Sequence, residues 1–178
     1  MMVFVGESSR DPKDKCFEDA AKAIGEFIAR KGHDFVFGGC NRGMMGITYR
    51  EVEKNPNCKV YAVVDEAYES DLQDIEYQTA YVLESLHLRK DTIFKLADVM
   101  VFLPGGIGTI DEFMTAIEMK RTDKYKGQIV VANVNKYYYS LIRQLCHSRW
   151  NEFSEDIDRY CRIFPNIDET ISYLERMV

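Results

Sequence analysis

Two short stretches in this 178-residue chain carry residues of the right type and spacing for chemistry. The first is Pro104-Gly105-Gly106-Ile107-Gly108-Thr109-Ile110-Asp111-Glu112, glycines and a hydroxyl followed by two carboxylates. Glycines at a strand-to-helix turn let a ligand approach the backbone, and the N–H groups that open the helix suit an anion such as phosphate. Glu112 is expected in the first turn of that helix, where a carboxylate is also favoured by the helix dipole alone. The second stretch is Ser85-Leu86-His87-Leu88-Arg89-Lys90. Adjacent cations at a helix start oppose the dipole, a local cost that points to a negative partner, either a protein carboxylate or a ligand phosphate. Arg89 can make a bidentate contact that Lys90 cannot. A carboxylate beside a phosphate site repels the ligand and so needs a reason; one is a reaction that develops positive charge, as the ribose does when a glycosidic bond breaks. For Asp111 a solvent-facing position is the simpler account.

Positioning these groups requires strands that end where the loops begin. Met2–Val5, Phe35–Phe37, Lys59–Val64, Val99–Leu103, Gln128–Ala132 and Cys161–Phe164 read as strands. Helices are predicted from Asp14 through Ile28 with Gly32 as the stop, from Met44 to Glu53, Ser85 to Leu96, Lys136 to Trp150 and Asp168 to Met177. In the Lys136–Trp150 helix, Tyr138, Leu141, Ile142 and Leu145 are expected to face inward. The acidic, tyrosine-bearing segment Asp65–Leu83 shows no clean period and reads as a loop with a short helix or turn; Asn151–Asp158 reads as a polar connection. Alternating strands and helices predict an α/β fold, a Rossmann-like open parallel sheet with helices on both faces, in one domain spanning 1–178. Right-handed crossovers put every strand's carboxyl end on one edge. The loops Gly6–Ser9, Gly38–Gly43 and Gly105–Thr109 then share one rim, where ligands of open α/β sheets bind. Glu7, Ser8, Gly39, Gly43 and Gly105 are contact candidates on that ground.

Composition narrows the partners. A net charge of −6 leaves no basic surplus for a nucleic-acid polymer. No apolar run reaches transmembrane length, and the N-terminus reads as a first strand rather than a signal peptide. Five scattered cysteines without a C-x-x-C pair predict reduced thiols in a cytoplasmic protein, and with three dispersed histidines they predict no metal site. Cys40 is expected to be a small filler and His87 a packed or hydrogen-bonded residue. The methionines 44 and 45 and the tyrosines 137 to 139 read as core or interface. Neither glycine loop is a Walker A loop or the usual dinucleotide fingerprint.

Gly38-Gly39-Cys40-Asn41-Arg42-Gly43-Met44-Met45-Gly46, His87-Leu88-Arg89-Lys90 and Pro104–Glu112 together resemble the Lonely Guy (LOG) family, whose motifs are G-G-G-x-x-G-x-M-G, M-H-x-R-K and P-G-G-x-G-T-x-x-E. The resemblance covers nearly the whole chain. It implies a Rossmann-like homodimer without cofactor, a cytokinin riboside 5′-monophosphate phosphoribohydrolase formerly labelled a lysine decarboxylase. Such an enzyme hydrolyses the N-glycosidic bond of a nucleoside 5′-monophosphate, AMP or N6-modified AMP, to free base and ribose 5-phosphate. By motif, Arg89 and Glu112 match its catalytic pair, and Lys90, Gly106, Gly108 and Thr109 its substrate contacts. The chain departs from the pattern at Cys40 (Gly), Leu86 (Met), Asp111 (Glu) and Glu7 (commonly Ser). No pyridoxal-phosphate lysine signature appears. The alternatives are a non-catalytic nucleotide or molybdenum-cofactor-binding carrier, and a nucleoside deoxyribosyltransferase-like enzyme. Retention of both Arg89 and Glu112 favours the hydrolase over a carrier, which has little need of a carboxylate facing phosphate.

Overall fold

Apolar runs bounded by turn residues become buried strands here, as strands covered on both faces require. In the computed structural model, which describes residues 1–152 and 155–177, seven strands form one parallel sheet. They are β1 (Met2–Gly6), β2 (Asp34–Phe37), β3 (Val60–Asp65), β4 (Thr79–Leu83), β5 (Val99–Phe102), β6 (Gln128–Ala132) and β7 (Arg162–Phe164). Their spatial order is β4-β3-β2-β1-β5-β6-β7. The chain first builds outward from β1 on one side and then returns to add β5 on the other. The order therefore reverses between β1 and β5, where Gly6 pairs with Phe102. Crevices at such a reversal are the usual ligand sites of this architecture.

The helices are α1 (Lys15–Lys31), α2 (Gly43–Val52), α3 (Leu86–Leu96), α4 (Ile107–Arg121), α5 (Tyr139–Trp150) and α6 (Ile167–Glu175). Alternate strand residues feed two cores. Val3, Val5, Phe35 and Phe37 pack with α1, α2 and α6 on one face. Phe4, Val36, Met100 and Phe102 pack with α3 and α4 on the other, where α5 adds Leu141, Ile142 and Leu145. Gly32 ends α1 in the left-handed conformation (φ 65°), satisfying carbonyls of the last turn as expected. No helix among the described residues is long and apolar enough to cross a membrane.

The structure corrects several local expectations. The Asp65–Leu83 segment is not mainly loop. A 3-10 stretch at Glu66–Asp74 leads into β4, whose alternation is weak because it is an edge strand with no fully buried residue. Asp14 occupies the cap position of α1, yet its side chain caps nothing and accepts from Asn135 instead. The Lys136–Trp150 helix begins only at Tyr139, because Asn135 and Lys136 take left-handed backbone (φ 51° and 58°). Its inward residues Leu141, Ile142 and Leu145 are half-buried, whereas Tyr138, just before it, is fully buried. Phe153 and Ser154 of the expected polar connection lie outside the described residues.

Candidate active site

Along the carboxyl edge of the sheet, the loops after β1, β2 and β5 meet in one cleft of about 610 Å³. That is within the range of small-ligand sites. The predicted residues Glu7, Ser8, Gly106, Gly108, Thr109, Arg89 and Glu112 all line it. The loops are also tied to one another. Met45 N–H donates to Ser8 O (3.1 Å), and the Ser8 hydroxyl accepts from Arg10 N–H (3.0 Å), which fixes the turn after β1.

The part suited to an anion is the start of α4. Gly106 is its cap residue, no side chain caps the helix, and no acid occupies its first turn. The opening N–H groups are therefore free for an anion, with the dipole adding to their pull. Thr109 is buried in that turn, and a Cβ on Gly105 would collide with its side chain. Gly105 thus lies behind the cradle and shapes it without lining the cleft. Tyr137 donates its hydroxyl proton to Gly105 O (2.7 Å) and Tyr138 donates to Leu103 O (2.6 Å), so the connection after β6 braces the cradle from below. The sequence reads these tyrosines as core or interface, and their hydroxyls add a bracing contact to the cradle. Their position after a strand, on the same rim, was the available signal.

Glu112 lies in the second turn of α4, not the first, so the dipole does not account for it. Its partner does. Arg89 of α3 donates from Nη1 to Glu112 Oε1 at 2.7 Å and from Nε to Val63 O at 3.0 Å. Both side chains are largely buried, 16% and 10% exposed. Burial pushes the Glu112 carboxyl above its ordinary value while Arg89 draws it back down, and the rise prevails. A raised carboxylate is better suited to accept a proton near neutral pH. Gly38 leaves room for this geometry, since a Cβ there would lie 2.6 Å from Arg89 Nη2.

Lys90 lies elsewhere. Its Nζ donates to both oxygens of Asp111 (2.8 and 3.0 Å) and to the Thr115 hydroxyl (3.3 Å), and it does not line the cleft. The adjacent cations of α3 thus find adjacent carboxylates of α4. Asp111 is half-exposed but paired. Gly39 and Gly43 do not line the cleft; Gly43 opens α2 and borders a neighbouring pocket with Ser9, Arg10 and Asn41. Cys40 is buried and lines the cleft, whereas His87 is exposed and not packed as expected. Arg42, Tyr68, Asp65 and Asp71 join the wall, the Arg42 guanidinium donating to Asp71 at 2.8 Å. Asp65 ends β3, and the 3-10 segment that carries Tyr68 and Asp71 has no clean period in the sequence.

These features define an α/β protein with an uncapped helix start and a buried Arg–Glu pair facing one cleft. The family profile described as "Possible lysine decarboxylase" matches residues 43–174, and the chain belongs to that family. Among curated relatives, the chain is 25% identical to the probable cytokinin riboside 5′-monophosphate phosphoribohydrolase LOGL6 of Oryza sativa subsp. japonica, over 97% of this chain and 69% of the relative. It is 24% identical to the cytokinin riboside 5′-monophosphate phosphoribohydrolase LOG5 of Arabidopsis thaliana, over 97% and 75%. The Moco carrier protein of Chlamydomonas reinhardtii superposes with a TM-score of 0.69 at 14% identity, covering 99% of this chain and 96% of that one, and so shares the fold. Among the described residues, none that lines the cleft is a lysine.

Proposed function

We propose that this chain, acting as a single domain, hydrolyses the N-glycosidic bond of a nucleoside 5′-monophosphate, AMP or an N6-modified AMP, to free base and ribose 5-phosphate. One observation carries the reading: the buried Arg89–Glu112 pair faces the same cleft as an uncapped, acid-free helix start. In this reading the 5′-phosphate is held by the N–H groups around Gly106 and Gly108 and by the Thr109 hydroxyl. That contact orients the ribose toward Glu112. As the C1′–N bond lengthens, positive charge grows on the ribose, and the Glu112 carboxylate stabilises it and takes a proton from the attacking water. Arg89 keeps Glu112 in place and balances its charge. Lys90 supports the reaction only by joining α3 to α4. The relatives' names support phosphoribohydrolase activity for the family.

The reading also carries a cytoplasmic homodimer, in which the exposed Leu86, Leu88 and Ile107 beside the cleft would be covered by a second copy. The test is chemical. Incubation with AMP and with N6-substituted AMP, with chromatography for both products, is expected to give base and ribose 5-phosphate in equal amounts. Tight nucleotide binding without either product would replace the hydrolase with a non-catalytic carrier.

A further inference from the structure

The Glu7 carboxyl has no assigned partner. It follows β1 at the reversal point of the sheet, lines the cleft, and is only 3% exposed. Among the described residues, neither of its oxygens has a hydrogen-bond partner. A carboxyl buried in that state costs free energy that a native protein ordinarily recovers through a contact. The groups of the protein that could donate to it are committed elsewhere. Thr48 of α2 approaches it but gives its hydroxyl proton to Ala21 O at 3.1 Å. Across the cleft, Arg89 serves Glu112 and Val63 O, Arg42 serves Asp71, and Asp65 accepts from Ala67 N–H. Arg10 on the same loop and Cys40 and Tyr68 on the facing wall complete the ionisable surroundings, and none bonds to the carboxyl. Burial pushes Glu7 up to about 8, so near neutral pH it holds its proton. Glu112 has a guanidinium at 2.7 Å, and Glu7 has none. Two carboxyls of one cleft in unlike environments are the usual sign of divided acid and base roles.

Resting on the hydrolase reading, we propose that Glu7 is a further catalytic residue, the neutral acid that donates its proton to the leaving purine base. A protonated carboxyl offers one O–H donor beside one acceptor oxygen. A purine expelled as an anion is a poor leaving group, and protonation at ring N7 lets it depart neutral. The step balances. The C1′–N9 electron pair goes to the base, the Glu7 proton goes to N7, and the water oxygen bonds C1′. The proton that the water loses goes to Glu112. Exchange with solvent then returns one proton to Glu7 and removes one from Glu112. The ligand thereby supplies the partner that the unliganded carboxyl lacks.

Glu7→Gln keeps the size and a donor but has no proton to give. The experiment compares the wild type with this variant on AMP and on N7-methylated AMP, whose base leaves neutral without protonation. The expected result is a fall in kcat on AMP of about 100-fold or more, within the usual worth of general acid catalysis, with KM little changed. Hydrolysis of the N7-methylated substrate stays within about threefold of the wild type, which also shows that the variant is folded. Equal loss on both substrates, or no loss on AMP, overturns the assignment. Absence of base release by the wild type from AMP overturns the hydrolase reading, and the assignment with it, and is distinguished by appearing before any substitution is made.

Discussion

Two ion pairs join the same two helices through adjacent residues, yet they occupy different environments. Arg89–Glu112 is largely buried on both sides, lines the cleft, and has a backbone carbonyl as a further anchor. Lys90–Asp111 lies off the cleft, its carboxylate 53% exposed and its ammonium shared with Thr115. A half-exposed pair contributes little because water competes for both charges. A buried pair is different: it adds little net stability, but removing one partner strands the other. One step along a helix therefore separates a tie between helices from a site able to do chemistry.

That contrast can be broken most severely at Arg89. Arg89→Met strands the Glu112 carboxylate and is expected to cost about 3–5 kcal/mol. Lys90→Met is expected to cost no more than about 1 kcal/mol. Parallel urea unfolding of the two variants checks the difference, and equal costs would refute the distinction.

Glu7 sharpens the same contrast through pH. An unfolded glutamate titrates near its ordinary value of 4.5, and the folded one at about 8. Between those values the native state holds a proton that the unfolded state gives up, so Glu7 makes stability fall as pH rises. The slope approaches about 1.4 kcal/mol per pH unit within that window and vanishes above it. Unfolding measured from pH 5 to pH 8.5 is expected to show this fall in the wild type relative to Glu7→Gln. Parallel curves would remove the raised carboxyl from the account.

Arg89→Lys keeps the charge but cannot reach both Glu112 and Val63 O in the fixed fork of a guanidinium. Its expected stability cost is about 1–2 kcal/mol, with turnover reduced at least about tenfold. Steady-state kinetics beside thermal unfolding tests it. Asp111→Asn should do least, costing under about 1 kcal/mol and leaving turnover within about threefold.

Much of the fold was legible because buried parallel strands are nearly continuous apolar runs, as at Val99–Phe102 and Gln128–Ala132. β4 escaped because an edge strand bearing Thr79, Tyr81 and an exposed Val82 carries neither a continuous run nor clean alternation. In the site, residue types could be read but not pairings. The dipole penalty at Arg89 and Lys90 did announce negative partners, and both proved to be carboxylates of α4. That the two cations divide between cleft and helix tie depends on which side of α3 each projects from. The isolation of the Glu7 carboxyl, and the bracing of the cradle by Tyr137 and Tyr138, depend on contacts between segments far apart in the chain.

The central claim is that the buried pair, and not its neighbour, breaks the glycosidic bond. The direct measurement is the rate of adenine release from AMP by the wild type, Glu112→Gln and Asp111→Asn under one set of conditions. The account predicts release by the wild type and Asp111→Asn at similar rates and none detectable from Glu112→Gln. Adenine release by Glu112→Gln at the wild-type rate, or none by the wild type, would contradict it.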